Sequence, residues 1–387
     1  MKKVSIDSLP ENAYISEPVF LDEKYILLSP EVPISEALKN RLREWNIMEV
    51  LTTGTVTNSL NLEGTETQLT TGTQENLQAT IKDKEHQEAA DKFFAQILKQ
   101  ICDLFDKFKV KGEIKIGDVT ELIKIIMSEL KSNREYLLRV QEVPGDCDYL
   151  ALHCLRTTIL SLSLADFLRM PPHKQIDIGI AALLHRIGML KIPAQVYTSD
   201  RPLSPQERKL ILAQPALGFK VLQENNFPLP VSLAVLEHQE RIDGSGYPRH
   251  ITGEKISLYG KIIAVAASYT AAVSKRPFRS GLDGHSGIMD LLKDIGKRYD
   301  DRILRSLVFT LSIFPPGTFV ALSNGTQGIV VKTNPENPKY PIVKLLLTEE
   351  GSVYPEKPIL HTSESDVVQI SRPLTQVEIS VLKQKVG

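Results

Sequence analysis

A short run at the centre of the chain, an apolar helix pattern followed by glycine and proline, restricts the fold more than any other feature. The residues from Ile176 to Leu184 are mostly apolar, which predicts a buried helix that carries His185 on its last turn. Gly188 lies just beyond this helix, and Pro193 prevents its continuation because proline lacks the N–H donor. A lone histidine at such a position is usually a satisfied core residue. The alternative is a functional site.

A motif around His185 and two further motifs favour the functional interpretation. The pattern HDIGKxxIP lies over His185–Pro193, HHExxDGxGYP over His238–Pro248, and RPYR over Arg276–Arg279. Through these motifs the chain resembles the HD-GYP family, a branch of the HD phosphohydrolases whose members hydrolyse the bacterial messenger cyclic di-GMP. The resemblance covers a little under half of the chain, and its motifs lie between Asp146 and Gly281.

The resemblance identifies both retained and replaced metal positions. His153, His185 and His238 match metal-binding histidines of the family, and they are the residual metal candidates. Other functional positions of the family are occupied by different residues, namely Arg186, Met189, Gln214, Gln239, Ala267 and Thr270. Arg186 stands where the HD pair has its aspartate, and Met189 stands where the motif has lysine.

These replacements weaken the metal chemistry that the family implies. Phosphodiester hydrolysis in the family uses metal ions to activate water, and aspartate supplies a charged oxygen that bridges them. An arginine about 4 Å from a divalent ion is instead repelled by several kcal/mol at an effective dielectric constant of about 20. No cofactor is therefore expected. The alternative is one divalent ion of iron, manganese or zinc, held by the three histidines with an open coordination position.

The ligand-binding side of the motif is less altered. Tyr247, Arg276 and Arg279 occupy positions that lie near the bound dinucleotide in the family, and Arg186 is a possible fixed positive charge beneath a phosphate. Arginine suits such a ligand because it forms paired hydrogen bonds to phosphate oxygens or to guanine. The alternative is that these arginines cap helices or pair with Asp243 and Glu240.

The resemblance therefore predicts a catalytically impaired HD-GYP-type protein that acts in cyclic di-GMP signalling as a nucleotide receptor or a protein-binding module. Its expected partner is cyclic di-GMP or a related nucleotide. Two alternatives remain open. One is an active, metal-dependent cyclic di-GMP phosphodiesterase or other phosphohydrolase, and the other is a scaffold for a diguanylate cyclase or another signalling protein.

The predicted fold is mainly α. It consists of an all-helical HD-type domain with a small N-terminal α+β module and a small C-terminal β unit. The predicted segments are an N-terminal module (1–50), a flexible Thr-rich linker (51–81), a helical segment (82–145), the HD-GYP-like domain (146–313), the β unit (314–372) and a tail (373–387).

Local signals place several elements within these segments. The N-terminal module is predicted to contain a helix over about Ser35 to Trp45. Apolar residues from Phe93 to Phe108 recur at helical spacing, and Asp118 is the predicted N-cap of the next helix. Ser204 and Glu207 have capping-box spacing.

The C-terminal unit is predicted to be a small sheet. Asn324 and Gly325 lie between two β-prone runs, which indicates a hairpin, and Tyr340–Leu347 supplies another strand. Nothing in this unit suggests catalysis.

Composition restricts the environment and the partners. The formal net charge of −1 argues against a nucleic-acid polymer as partner. No apolar run reaches transmembrane length and the N-terminus lacks a signal-peptide core, so we expect a cytoplasmic protein without a membrane partner. Cys102, Cys147 and Cys154 lack zinc-ligand spacing and are predicted to be buried free thiols.

Overall fold

The structure is a computed structural model in which the chain divides into two units, Met1–Leu69 and Thr70–Gly387. The residues that it describes are 2–8, 14–15, 19–20, 26–28, 39–40, 43, 48–53, 56–57, 73–139, 148–199, 201–274, 281–334, 337–363 and 368–386. Only the backbone is described for residues 73–84. The fold is mainly helical and of the HD type, as the sequence predicts.

The first unit consists of short antiparallel strands. They are β1 (Lys2–Ser5), β2 (Tyr14–Ile15), β3 (Val19–Phe20), β4 (Ile26–Leu28), β5 (Glu49–Thr52) and β6 (Val56–Thr57). One sheet has the order β1-β5-β3-β4, and β2 pairs with β6. The helix predicted for residues 35–45 lies mostly outside the described residues. Strand β6 lies beyond residue 50, within the segment predicted to be a linker.

Helices form most of the second unit. They are α1 (Thr73–Lys111), α2 (Ile116–Leu137), α3 (Tyr149–Phe167), α4 (Pro172–Leu184), α5 (Ala194–Tyr197), α6 (Pro205–Glu224), α7 (Leu229–Glu237), α8 (Leu258–Val273), α9 (Gly284–Leu292), α10 (Asp301–Leu311) and α11 (Gln376–Val386). Short 3-10 helices span Ile6–Ser8 in the first unit and Ile187–Lys191 and Gly253–Lys255 in the second.

The starts of α1 and α2 differ from the predicted starts. Helix α1 begins at Thr73, before the point at Lys82 where the apolar periodicity becomes visible. Its first turns are rich in Gln, Glu, Ala and Lys, which favour helix by intrinsic propensity without an apolar stripe. The prediction of Asp118 as N-cap is wrong, because α2 begins at Ile116 after Lys115. Asp118 lies in the first turn, where its charge still favours the helix dipole.

One apolar core is shared by helices α1, α2, α3, α4, α6 and α7. The predicted stripe on α1 is confirmed, since Phe94, Ile101, Phe105 and Phe108 are buried there. Helices α1 and α2 pack on α3 and α4. A second cluster joins α3 to α8, α9 and α10. The histidine-bearing helix ends therefore lie inside a continuous apolar environment.

Helix α3 has the length and hydropathy of a membrane-spanning helix, although the sequence was predicted to contain no such run. Among the described helices it is the one long and apolar enough to cross a membrane, with a mean hydropathy of 1.2. This apolar helix is not evident from the sequence because His153 and Arg156 interrupt the apolar residues. In the fold, 78% of this apolar window is buried, as in the core helix of a helical domain.

The C-terminal sheet contains β7 (Phe319–Leu322), β8 (Gln327–Lys332), β9 (Ile342–Leu347), β10 (Ile359–His361) and β11 (Ile370–Pro373). All neighbours in the order β10-β9-β8-β7-β11 are antiparallel. The predicted hairpin is confirmed, because Gly325 has φ +88° between β7 and β8. The strand predicted from Tyr340 begins at Ile342. Helix α11 packs on this sheet through Leu382.

Candidate functional site

The end of α4 fixes the position of His185. Residues Ile178–Leu184 are buried, and His185 is the C-cap of the helix. The chain then turns into the 3-10 helix, where a Cβ on Gly188 would lie 2.1 Å from the Gln214 carbonyl oxygen and 2.7 Å from the Gly218 nitrogen on α6. Only glycine permits this close approach. The end of α4 is therefore clamped against α6.

Three helices bring the predicted histidines together. His153 lies on α3, while His185 and His238 cap α4 and α7, and none is more than 2% exposed. The Nε2 atoms of His153 and His185 are 3.3 Å apart. The ring centroids of His185 and His238 are 5.0 Å apart. The structure thus forms one buried cluster from residues that are distant in sequence.

Backbone carbonyls orient two of these rings. The Nδ1 atom of His185 lies 2.7 Å from the Ala182 carbonyl oxygen, and the Nδ1 atom of His238 lies 2.7 Å from that of Val235. A carbonyl oxygen only accepts, so Nδ1 carries the hydrogen in both neutral rings and Nε2 carries the lone pair. The buried Nε2 atom of His238 has no hydrogen-bond partner among the described groups.

The cluster is held in its neutral form. Burial lowers the pKa of His185 well below its usual range, and the adjacent histidines and Arg186 act in the same direction. Burial, followed by the charge of Arg186, lowers the pKa of His238 to about 3. Burial also raises the pKa of the neighbouring Cys154 thiol to about 12, which makes it an unreactive core thiol.

Arg186 places a positive charge where the family motif has aspartate. It precedes the 3-10 helix, and its buried Nε atom has no hydrogen-bond partner in the described part of the chain. The ion pairs found among the described residues do not include it. The two carboxylates considered as alternative partners bond elsewhere, Glu240 to Arg249 N and Ile251 N, and Asp243 to Ser245 N.

The residues at the other replaced positions take part in the packing or hydrogen bonding of the domain. Gln214 is fully buried and donates from Nε2 to the His185 carbonyl oxygen at 2.6 Å. Ala267 and Thr270 are buried on α8. The Gln239 carbonyl oxygen accepts from Tyr247 N at 3.2 Å. None of these positions supplies a carboxylate to the histidine cluster.

These residues do not fit the metal cluster of the family. The lone pairs of two histidines point inward as metal ligands do, but no group of three or more His, Cys, Asp or Glu side chains within the described ranges is arranged to hold an ion. Arg186 adds a charge of the wrong sign. We therefore assign no chemical step to a metal at this site.

Two buried glutamates, Glu237 and Glu240, hold the chain that directly follows the DGSGYP loop. Glu237 accepts from Ser257 N at 2.8 Å and from the Arg249 guanidinium, and Glu240 accepts from Arg249 N at 2.7 Å. Gly244 has φ +78°, and a Cβ on Gly246 would lie 2.3 Å from Arg241 N. The loop conformation therefore requires both glycines and both carboxylates.

Of the predicted ligand contacts, the structure describes two. The Tyr247–Pro248 peptide is cis, and burial raises the pKa of the Tyr247 hydroxyl, an effect that Arg186 opposes. Tyr247 and Arg186 therefore share one electrostatic environment. Arg276 and Arg279 lie outside the described residues, so their contacts stay predictions.

A cavity of about 490 Å³ opens beside the cluster. Its volume lies in the range of small-molecule sites. Its described lining is Tyr149, Leu150, His153, Arg186, Met189, Val196, Tyr197, Ser199, Arg201, Pro202, Leu203 and Ile211. Sequence analysis did not single out Tyr149 or Tyr197. For Tyr149 a signal existed, since it precedes His153 by one helical turn.

Comparison with known families agrees with this geometry. Residues 124–303 match the model of the HD domain, and residues 319–382 match a KOW domain associated with HD domains. The first match contains all three histidines and the DGSGYP loop. The second contains the C-terminal sheet and most of α11.

Characterised relatives match the chain over more than half of its length. Cyclic di-GMP phosphodiesterase PdeB of Borreliella burgdorferi is 28% identical over 62% of this chain and 63% of its own. Cyclic di-GMP phosphodiesterase PA4108 of Pseudomonas aeruginosa is 26% identical over 65% of this chain and 61% of its own. The matched region thus spans less than two thirds of either relative.

A solved structure is also similar. The HDG"Y"P protein Bd1817 of Bdellovibrio bacteriovorus aligns with a TM-score of 0.48 and 16% identity, over 79% of this chain and 97% of that chain. The assignment itself rests on the sequence matches. Residues 124–303 therefore contain an HD domain with strong homology to HD-GYP cyclic di-GMP phosphodiesterases.

Proposed function

We propose that this protein binds cyclic di-GMP or a related cyclic dinucleotide without hydrolysing it, and that it acts as a receptor in cyclic di-GMP signalling. The observation that carries the proposal is the position of Arg186. Its guanidinium lines the cavity beside His153, where no described carboxylate contributes to the lining. Such a site attracts phosphate and offers little to a cation.

Loss of hydrolysis follows from the presence of Arg186 in place of the motif aspartate. In the family this chain resembles, metal ions lower the pKa of the attacking water and neutralise the phosphate charge. Arg186 can neutralise charge, but it cannot bind or activate water as a metal does. The buried, neutral histidines of the cluster do not replace the missing carboxylate.

Ligand contacts are proposed for four residues, Arg186, Tyr247, Arg276 and Arg279. Truncation of Arg276 to alanine removes a charge-assisted contact of roughly 1.5–3 kcal/mol. This corresponds to a dissociation constant that is about tenfold to hundredfold higher. The exposed Arg302 on α10 provides a matched control for the loss of one charge.

Calorimetry of the full chain with cyclic di-GMP tests the receptor role. The wild type and Arg302→Ala should bind equally in the presence of EDTA, and Arg276→Ala should bind more weakly. No binding by the wild type at high micromolar ligand would contradict the receptor and favour the scaffold. Pull-down of a diguanylate cyclase or another signalling protein, with the DGSGYP loop intact or mutated, then tests that alternative.

A hydrolysis assay separates the receptor from an active phosphodiesterase. The full chain is incubated with cyclic di-GMP and manganese or iron, alongside a His185→Ala variant. We expect no product above this control. Product formed by the wild type alone would support the enzyme and reject the receptor without hydrolysis.

A further inference from the structure

Arg186 and Met189 lie on the same side of the 3-10 helix that follows α4. The Met189 N–H donates to the Arg186 carbonyl oxygen at 2.9 Å, and both residues line the cavity. Residues three apart in a 3-10 helix are eclipsed, which explains the shared side. Relative to the HDIGK pattern, the positive charge is therefore not lost. It stands one turn earlier, beside the histidines.

Among the described residues that line the cavity, one guanidinium is not held in an ion pair. Arg201, the other arginine in the lining, bonds Glu207 through both terminal nitrogens at 2.6 and 3.0 Å. Arg186 has no such carboxylate among the described residues, and its Nε is buried without an acceptor. One guanidinium matches one phosphate group in paired geometry.

The remaining walls of the cavity are aromatic and apolar. Tyr149 stacks on His153 with ring centroids 6.0 Å apart and planes 18° apart, so this wall is continuous with the histidine cluster. Tyr197 and Met189 add an aromatic and a flexible apolar surface, and the Met189 side chain is 6% exposed. Aromatic walls bind planar bases through stacking with little base preference.

We infer that this cavity holds a single nucleotide unit, with its phosphate on Arg186 and its base against Tyr197 and Met189. The inference rests on the proposed function and deepens it, because it assigns one half of a cyclic dinucleotide to a defined place. It also extends the ligand class to linear purine nucleotides, which present the same phosphate and base. Neither ligand requires a metal ion here.

If the inference is correct, the phosphate and the base of the ligand each contribute to binding. 5′-GMP should bind the full chain in the presence of EDTA, whereas guanosine, which lacks the phosphate, and ribose 5-phosphate, which lacks the base, should each bind roughly tenfold or more weakly. Equal binding of 5′-GMP and guanosine would remove the role of Arg186. Equal binding of 5′-GMP and ribose 5-phosphate would remove the base wall.

Variants locate these two contacts. Arg186→Gln should weaken 5′-GMP and cyclic di-GMP about tenfold or more, and Tyr197→Ala should do so by a similar factor. Tyr197→Phe keeps the ring and should bind within about threefold of the wild type, as should the control Arg302→Ala. Thermal unfolding of each variant verifies that it is folded.

The outcomes distinguish the inference from the proposed function. Cyclic di-GMP binding that survives both Arg186→Gln and Tyr197→Ala leaves the receptor intact and overturns the cavity inference. Binding of 5′-GMP that depends on both residues, with no binding of cyclic di-GMP, supports the cavity and contradicts the receptor. No binding of 5′-GMP to the wild type at millimolar concentration overturns the inference.

Discussion

The histidine cluster and the DGSGYP loop lie in the same domain, but they differ in which of their motif residues match the family. In the loop, the glycines and Glu240 match, and all of them shape the backbone. In the cluster, Gly188 and the three histidines also match, whereas Arg186 and Gln214 stand at motif positions where the family has other residues. The residues that build the scaffold and those that perform the chemistry are therefore separable.

The polar groups in the two regions are also used differently. Loop carboxylates accept hydrogen bonds from backbone N–H groups of the same loop, so their charge is compensated. In the cluster, by contrast, His238 Nε2 and Arg186 Nε are buried without partners among the described residues. Unpaired buried polar groups are destabilising unless a ligand satisfies them. The polar groups of the loop are thus satisfied within the fold, whereas those of the cluster are not satisfied by the described residues.

The largest effect is expected where the cluster depends on its scaffold. Gly188→Ala places a methyl group 2.1 Å from the Gln214 carbonyl oxygen, so α4 and α6 must separate. We expect a loss of unfolding free energy of about 3 kcal/mol or more, measured by chemical denaturation. Gly117→Ala is the control, because nothing lies within 4 Å of its added Cβ. It should stabilise α2 by about 0.5–1 kcal/mol. Equal effects would show that the clamp is absent.

The loop should be sensitive to its carboxylates rather than to charge in general. Glu240→Ala leaves the N–H groups of Arg249 and Ile251 without their acceptor. We expect a loss of about 2–3 kcal/mol of unfolding free energy. Glu254→Ala removes an exposed carboxylate nearby and should change stability by less than about 0.5 kcal/mol. If both variants unfold at the same denaturant concentration, the assigned role of Glu240 is wrong.

Acid should destabilise the protein through the cluster. The folded-state pKa of His238 is lowered to about 3, so between its usual value of 6.5 and pH 3 the unfolded chain binds a proton that the folded chain excludes. Stability therefore falls as pH falls below 6.5. His238 alone should account for about 2 kcal/mol between pH 7 and pH 5.

Denaturation at these two pH values tests this contribution. The pH-dependent loss should be smaller in His238→Gln than in the wild type, and unchanged in His361→Gln, which alters an exposed histidine. An equal pH-dependent loss in the wild type and His238→Gln would exclude His238 as the source.

The smallest effect is expected from metal removal. If the cluster holds no tightly bound ion, EDTA should shift the midpoint of thermal unfolding by less than roughly 1 °C, because only a bound ion stabilises the folded state by linkage. Elemental analysis of the purified protein should find well under one equivalent of transition metal. Two or more equivalents, lost on mutation of His185 and His238, would reverse our assignment of the site.

Much of the helical domain is predictable because each signal is local. Ser204 and Glu207 form the predicted capping box, with Ser204 Oγ accepting from Glu207 N and Glu207 accepting from Ser204 N. The α4 end at His185 follows from Gly188 and the apolar run before it. In each case the residues that carry the signal are neighbours in sequence, so their physical meaning does not depend on the rest of the fold.

The cavity was not predictable in the same way. Tyr149 and Tyr197 come from different helices and line one cavity only in the folded domain, and neither residue belongs to a motif. The start of α1 at Thr73 escaped detection because a helix built from polar residues carries no apolar period. The hydrogen bond from Gln214 to the His185 carbonyl oxygen was not predictable either, since the sequence shows only that Gln214 replaces a functional residue of the family motif.

The clamp between Gly188 and α6 has a consequence for how this protein can be engineered. Because the backbone on both sides of position 186 is set by contacts that do not involve its side chain, this position can accept a different chemical group without refolding the domain. Substitution at this one position is therefore a way to change the proposed anion affinity of the cavity in favour of other ligands. The contacts between Gly188 and α6 can be kept constant in variant libraries in which residue 186 and residues of the cavity wall are changed together.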